Sequence, residues 1–242
     1  DGPATIVRIM LVEPELASLP SRLLRFYRSE DRKYADALVV DGRVRLSRLT
    51  TYQRLEDVSR SDPDEGEGRL RVPGDVPVVH LSLIDGGFTD GGTVPGHFNF
   101  STSWVQPLYV FCSSLPHVSL DLGRARFGPE LVEIHDPARF AAELARSVGL
   151  LNLEEREILW VEGFPVSYDK DAVSALPLDR SERSRLPYGQ KSSRFEVEAE
   201  YRFVVALSGP SAGAPPFLEL QLREPESFCR NYLASDSSAA SS

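Results

Sequence analysis

Residues 191–205 read Lys-Ser-Ser-Arg-Phe-Glu-Val-Glu-Ala-Glu-Tyr-Arg-Phe-Val-Val, with an acid at every second position through the middle. Such alternation predicts a β-strand, because successive side chains of a strand point to opposite faces. Glu196, Glu198 and Glu200 would then share one face, and Val197, Ala199 and Tyr201 the other. Three like charges on one face repel each other, and a Lys or Thr among them would be more stable. A chain keeps such a row where the face is a solvated edge, where basic groups stand opposite, or where a site needs carboxylates.

The rest of the chain is patterned in the same strand-rich way. Residues 23–28 form a short apolar run ending Phe26-Tyr27-Arg28, and Ser29 with Glu30 and Asp31 suits the start of a short helix over 31–39. Asp41-Gly42 is a turn signal, and residues 43–49 alternate strictly, with Val44 and Leu46 opposite Arg43 and Arg45. Further strands are expected at 5–12, 76–83, 97–104, 106–112, 125–134, 164–168, 197–207 and 217–222. The clearest helix is 137–148, with Pro137 in its first turn and Phe140, Leu144 and Val148 at helical spacing. A second short helix is expected over 154–160. The expected architecture is therefore α+β, with mixed or antiparallel sheets and a few short helices. Residues 1–233 read as one domain, and the Ser/Ala-rich tail 234–242 as disordered.

Composition narrows the function. The formal net charge of the 242-residue chain is −9, which argues against general binding to nucleic-acid backbones. The one locally basic stretch is 180–194, and nucleic acid could be met only there. Cys112 and Cys229 lie far apart outside any metal-binding spacing, so structural thiols in a cytoplasmic protein are expected, with one disulfide as the alternative. Four His and two Cys without ligand spacing make zinc an unsuitable partner. No apolar run approaches the roughly 18 residues of a membrane helix, and no signal peptide is visible after Asp1.

Several short motifs occur in a suggestive order: Tyr27-Arg28, then Gly42-Arg-Val-Arg-Leu-Ser47, then Ser101-Thr-Ser103 or Phe111-Cys-Ser113, then Glu198-Ala-Glu-Tyr-Arg202. This order resembles the ADP-ribosyltransferase superfamily, and also an uncharacterised bacterial family with a Tyr-Arg start and a Glu-x-Glu-Tyr-Arg late strand. The resemblance implies a split-sheet fold with NAD as substrate. It implies transfer of ADP-ribose to an unknown acceptor, or hydrolysis of NAD, as in a toxin or defence protein. Residue by residue, it makes Glu200 the catalytic carboxylate and Glu198 its helper. Arg28 beside Tyr27 would be the NAD contact, and Ser101 and Ser103, or Ser113, would belong to the middle strand. Tyr52 or Trp104 could stack on nicotinamide.

The chemistry asks for these residue types on its own account. Breaking the nicotinamide–ribose bond builds positive charge on the sugar, which a carboxylate stabilises. A second carboxylate can orient or deprotonate the acceptor, and a guanidinium grips diphosphate with two hydrogen bonds. Two other readings compete. An acidic surface could serve a non-catalytic protein-interaction module. The acid-dense segment 56–67, with Glu56, Asp57, Asp62, Asp64, Glu65 and Glu67, could hold a divalent cation for a hydrolase, although its spacing does not fit an EF-hand loop.

Overall fold

The computed structural model describes residues 19–53, 67–72, 98–103, 106–151, 153, 156–168 and 188–232. The expected strands at 5–12 and 76–83, the acid-dense segment up to Gly66, Trp104 and the tail lie outside the described residues.

The first strand, β1 (Leu23–Tyr27), leads into a 3-10 turn and the short helix α1 (Arg32–Asp36), which widens into a π-turn over Ala37–Asp41. Ser29, expected to start the helix, is the first residue of that turn, whose N-cap position is Arg28, and the N-cap of α1 is Asp31. Gly42 then turns the chain in the left-handed region, at φ 69°, and its hypothetical Cβ would stand 2.3 Å from the Leu222 carbonyl oxygen. Only glycine suits that combination. The alternating segment follows as β2 (Arg43–Arg48), then α2 (Leu49–Gln53). Strands β3 (Glu67–Val72) and β4 (Phe98–Ser103) pair with each other in a two-stranded sheet.

The remaining elements are β5 (Leu108–Ser114), α3 (Leu120–Phe127), β6 (Glu130–Ile134), α4 (Pro137–Gly149), β7 (Ile158–Pro165), β8 (Glu200–Leu207), β9 (Phe217–Gln221) and β10 (Cys229–Asn231). Two sequence expectations fail here. Residues 125–134 are not one strand: α3 ends at Phe127 and Gly128, at φ 123°, separates it from β6. The helix expected over 154–160 is instead the start of β7, whose Ile158 and Trp160 pair with β8. Helix α4 stands as expected, with Asp136 Oδ1 accepting from the Arg139 N–H.

Eight strands form one antiparallel sheet, so the observed class is α+β. Its connectivity turns on β5. Strand β8 lines one edge of β5 throughout, from Leu108 opposite Ala206 to Ser114 opposite Glu200. The other edge is shared. Strand β1 pairs at Ser114 only, and β2 pairs at Val110 and Tyr109. Between these points the sheet forks, β1 continuing onto β6 and β2 onto β9.

One face of the sheet carries Tyr109, Phe111, Tyr201, Phe203, Val132 and Ile134, packed under Phe140, Leu144 and Val148 of α4. The opposite face holds two separate apolar clusters. One comprises Leu108, Val110, Val204 and Ala206 with Phe164 and Tyr188; the other comprises Leu24, Phe26, Leu131, Val118 and Ala199. Strand alternation puts Cys112, Ser114, Glu200 and Arg202 on this same face, between the two clusters.

Candidate functional site

The polar gap between the two apolar clusters holds a buried ion cluster. Its backbone differs from the single strand expected over 191–205. Residues Ser193–Glu198 are a 3-10 helix, Ala199 turns at φ 44°, and the strand begins only at Glu200. The three acids therefore do not line one strand face: Glu196 is exposed, while Glu198 and Glu200 are buried. The left-handed turn at Ala199, whose carbonyl accepts from the Leu115 N–H at 2.7 Å, folds Glu198 back beside Glu200.

Lys191 binds the pair together. Its Nζ lies 2.8 Å from Glu198 Oε2 and 2.7 Å from Glu200 Oε2. Arg202 donates from Nε to Glu200 Oε1 at 2.7 Å and from Nη1 to the Tyr188 carbonyl at 2.6 Å. Arg126, from α3, donates from Nε to Glu198 Oε1 at 3.0 Å. The backbone N–H of Glu200 donates to the Tyr168 hydroxyl at 2.6 Å. Phe195 lies under the cations, its ring centroid 5.0 Å from Lys191 Nζ and 5.6 Å from the Arg126 guanidinium carbon. Three cations thus surround two carboxylates, and removing a charge from water is affordable only with such pairing.

The two carboxylates respond oppositely to this setting. Burial disfavours charge on Glu200, yet Arg202 and Lys191 outweigh it and hold its carboxyl well below the usual range. Burial also disfavours charge on Glu198; there it wins over Lys191 and Arg126, with repulsion from Glu200 added, and the carboxyl is raised. Glu198 is therefore the first of the pair to take a proton. Burial, followed by the Glu200 charge, pushes the Cys112 thiol up to about 12. Cys112 and Cys229 are both thiols, not a disulfide.

A cavity of about 100 Å³ opens against this cluster. Lys191, Glu198, Glu200 and Arg202 form its charged wall, Ser113, Ser114 and Cys112 its β5 wall, and Leu24, Phe26 and Phe127 its apolar wall. Arg25 reaches it at the fork, where Nη1 donates to the Cys112 carbonyl on the edge of β5 that β1 leaves behind.

The structure brings together three of the residues singled out in the sequence: Glu198, Glu200 and Ser113, whose Oγ donates to the Tyr201 carbonyl at 3.2 Å. Arg28 and Tyr27 are not among the cavity's lining residues. Arg28 is partly exposed and 3.9 Å from Glu30, and Tyr27 packs into the core under the opposite face. Arg25 is the β1 cation at the cavity. Tyr52 lies on α2, and Ser101 and Ser103 on β4, with side chains outside the described residues. The basic stretch 180–194 contributes Lys191, which is buried in the ion cluster instead of facing solvent. Residues 180–187 lie outside the described residues. Sequence reasoning missed Lys191, Arg126 and Arg25 as site residues; Arg202, two positions from Glu200, was legible as a same-face neighbour.

Among the described residues, no group of three or more His, Cys, Asp and Glu side chains could hold a metal ion. No described helix is long and apolar enough to cross a membrane. Comparison with protein-family models, curated proteins and solved structures finds no match to this chain.

Proposed function

We propose that the chain breaks the nicotinamide–ribose bond of NAD and passes ADP-ribose to an acceptor or to water. The observation that carries this reading is a pair of buried carboxylates at one cavity wall whose proton affinities are driven apart. Two acids separated in this way supply the two roles the reaction needs. Glu200, held ionised by Arg202 and Lys191, is the carboxylate that stabilises positive charge on the reacting ribose. Glu198, with its raised proton affinity, is the base for the acceptor.

In the reaction, nicotinamide leaves with the bonding electron pair. An acceptor oxygen or nitrogen, or water, bonds to the ribose carbon, and its proton passes to Glu198. The reading requires Lys191 to leave Glu200 when substrate enters. Arg202, 2.7 Å from Glu200 Oε1, then holds that carboxylate ionised. The fork of the sheet also suits the split-sheet architecture that the motif order implies, with Arg25 in place of Arg28 as the β1 guanidinium.

The test is nicotinamide release from NAD by the full chain without added metal, alongside NAD binding by calorimetry. Wild type is expected to release nicotinamide. Glu200→Asp keeps the charge but withdraws the carboxylate by about 1 Å, so the rate should fall about a hundredfold with NAD binding retained. Release that is unchanged in Glu200→Asp and in Glu200→Gln would assign the chemistry elsewhere. A folded wild type that neither binds NAD nor releases nicotinamide overturns the reading and favours the acidic interaction module.

A further inference from the structure

We propose that the cleft opened by the fork between β1 and β2 is a ligand site for a nucleotide, an aromatic base carrying phosphate. The cleft has a volume of about 530 Å³, and its floor includes Phe111, Val44 and Leu220. Sites for small molecules run from roughly 300 to 1,000 Å³ and are mostly apolar with a few convergent polar groups. The cleft runs through the fork: Phe111, Val44 and Leu220 belong to the core cluster under α4, Arg43, Arg45 and Glu219 project from the other face of β2 and β9, and Arg25 lines both this cleft and the cavity beside Glu200.

Charge and exposure specify the ligand. Arg25, Lys33, Arg43 and Arg45 line the cleft against Asp31 and Glu219, and Asp41 pairs with Arg43 at 2.7 Å, which leaves an excess of one cation in a chain of net charge −9. The excess is therefore local and cannot be an outcome of overall composition. Arg45 stands over the Phe217 ring, its guanidinium carbon 3.7 Å from the centroid. Stacking fixes a guanidinium without consuming its N–H donors, which suits two-pronged recognition of phosphate. Tyr34 supplies the second half of the argument. It lines the cleft yet is 38% exposed, while Tyr27 and Phe111 beside it are buried. Lys33 Nζ stands 5.1 Å from the centre of that exposed ring. An accessible aromatic face beside cations is how a protein holds a flat base next to its phosphates.

The proposal does not rest on the glycosidic reading, because ADP has no nicotinamide bond to break. The experiment is equilibrium binding of ADP, pyrophosphate and adenosine to the full chain by calorimetry, with thermal melts of each variant. ADP should bind more tightly than either fragment. The double substitution Lys33→Ala with Arg43→Ala should weaken ADP and pyrophosphate by about tenfold or more and leave adenosine within about twofold. Tyr34→Ala should weaken ADP and adenosine and spare pyrophosphate. All three side chains are exposed, so the melts should not move. Absence of ADP saturation at millimolar concentration overturns the site, as does ADP affinity indifferent to all three substitutions. Pyrophosphate binding as tightly as ADP, with Tyr34→Ala silent, overturns the nucleotide assignment.

Discussion

Lys191 decides how the two glutamates of the ion cluster behave, since one ammonium is shared between them at 2.8 and 2.7 Å. Removing a carboxylate from such a cluster leaves buried cations behind. Glu200→Gln strands Arg202, which is 1% exposed, and should cost about 3–5 kcal/mol in a denaturant titration at neutral pH. Glu198→Gln should cost less, because Lys191 keeps Glu200 and Arg126 is partly exposed. The pH dependence follows from the depressed Glu200 carboxyl. Its contribution is complete above the unfolded value of about 4.3 and is lost as pH falls toward its folded value. Glu198 has the opposite sign: its raised carboxyl costs stability as pH rises above about 4.3, until its folded value is passed. The gap between wild type and Glu200→Gln should therefore be widest near neutrality and narrow in acid. A gap that is flat with pH would mean that Glu200 is not held ionised.

The junction between α3 and β6 is set by glycine. At Gly128 a Cβ would stand 2.2 Å from the Tyr27 carbonyl oxygen, and the residue has φ 123°. Within α3, a Cβ at Gly123 would stand 2.4 Å from the Phe26 ring. Helix α3 can thus lie directly on β1, and Arg126 on that helix reaches Glu198. Gly123→Ala should push α3 off β1, lower stability by about 1–3 kcal/mol, and loosen the Arg126–Glu198 pair. A melting temperature equal to that of wild type would show that α3 has room this packing denies it. These elements also show where local pattern is sufficient. The alternation of 43–49 and the 3.6-residue spacing of 137–148 produced β2 and α4 because each buries one face against a core. The run 125–134 misled because apolar residues of a helix end and a strand start were read as one period, across a glycine whose backbone breaks it.

Over the whole molecule, the two faces of the sheet have different tasks. The α4 face is a continuous apolar core in which the Phe140 ring lies 5.3 Å from Phe111, 5.0 Å from Phe203 and 5.7 Å from Phe228. Phe140→Ala should cost about 3–5 kcal/mol and shift unfolding cooperatively for the entire sheet, measured by denaturant titration. A loss under about 1 kcal/mol would mean that the cluster closes over the void. The other face interrupts its core to bury charge, which is stabilising only if every charge finds its partner.

The sequence by itself determined the α+β class, β1, β2, α4 and β9, and singled out Glu198 and Glu200, which lie buried at the start of a late strand. These depend on short-range periodicity. Tertiary structure alone decided that Glu196 faces water, that Lys191 leaves a basic stretch to bridge two carboxylates, and that Arg25 fills the fork in place of Arg28. The physical reason is that burying a charge is favourable only where distant strands bring compensating charges to it. Lys191 and Arg126 lie 7 and 72 residues from Glu198, and no periodicity along the chain encodes that meeting.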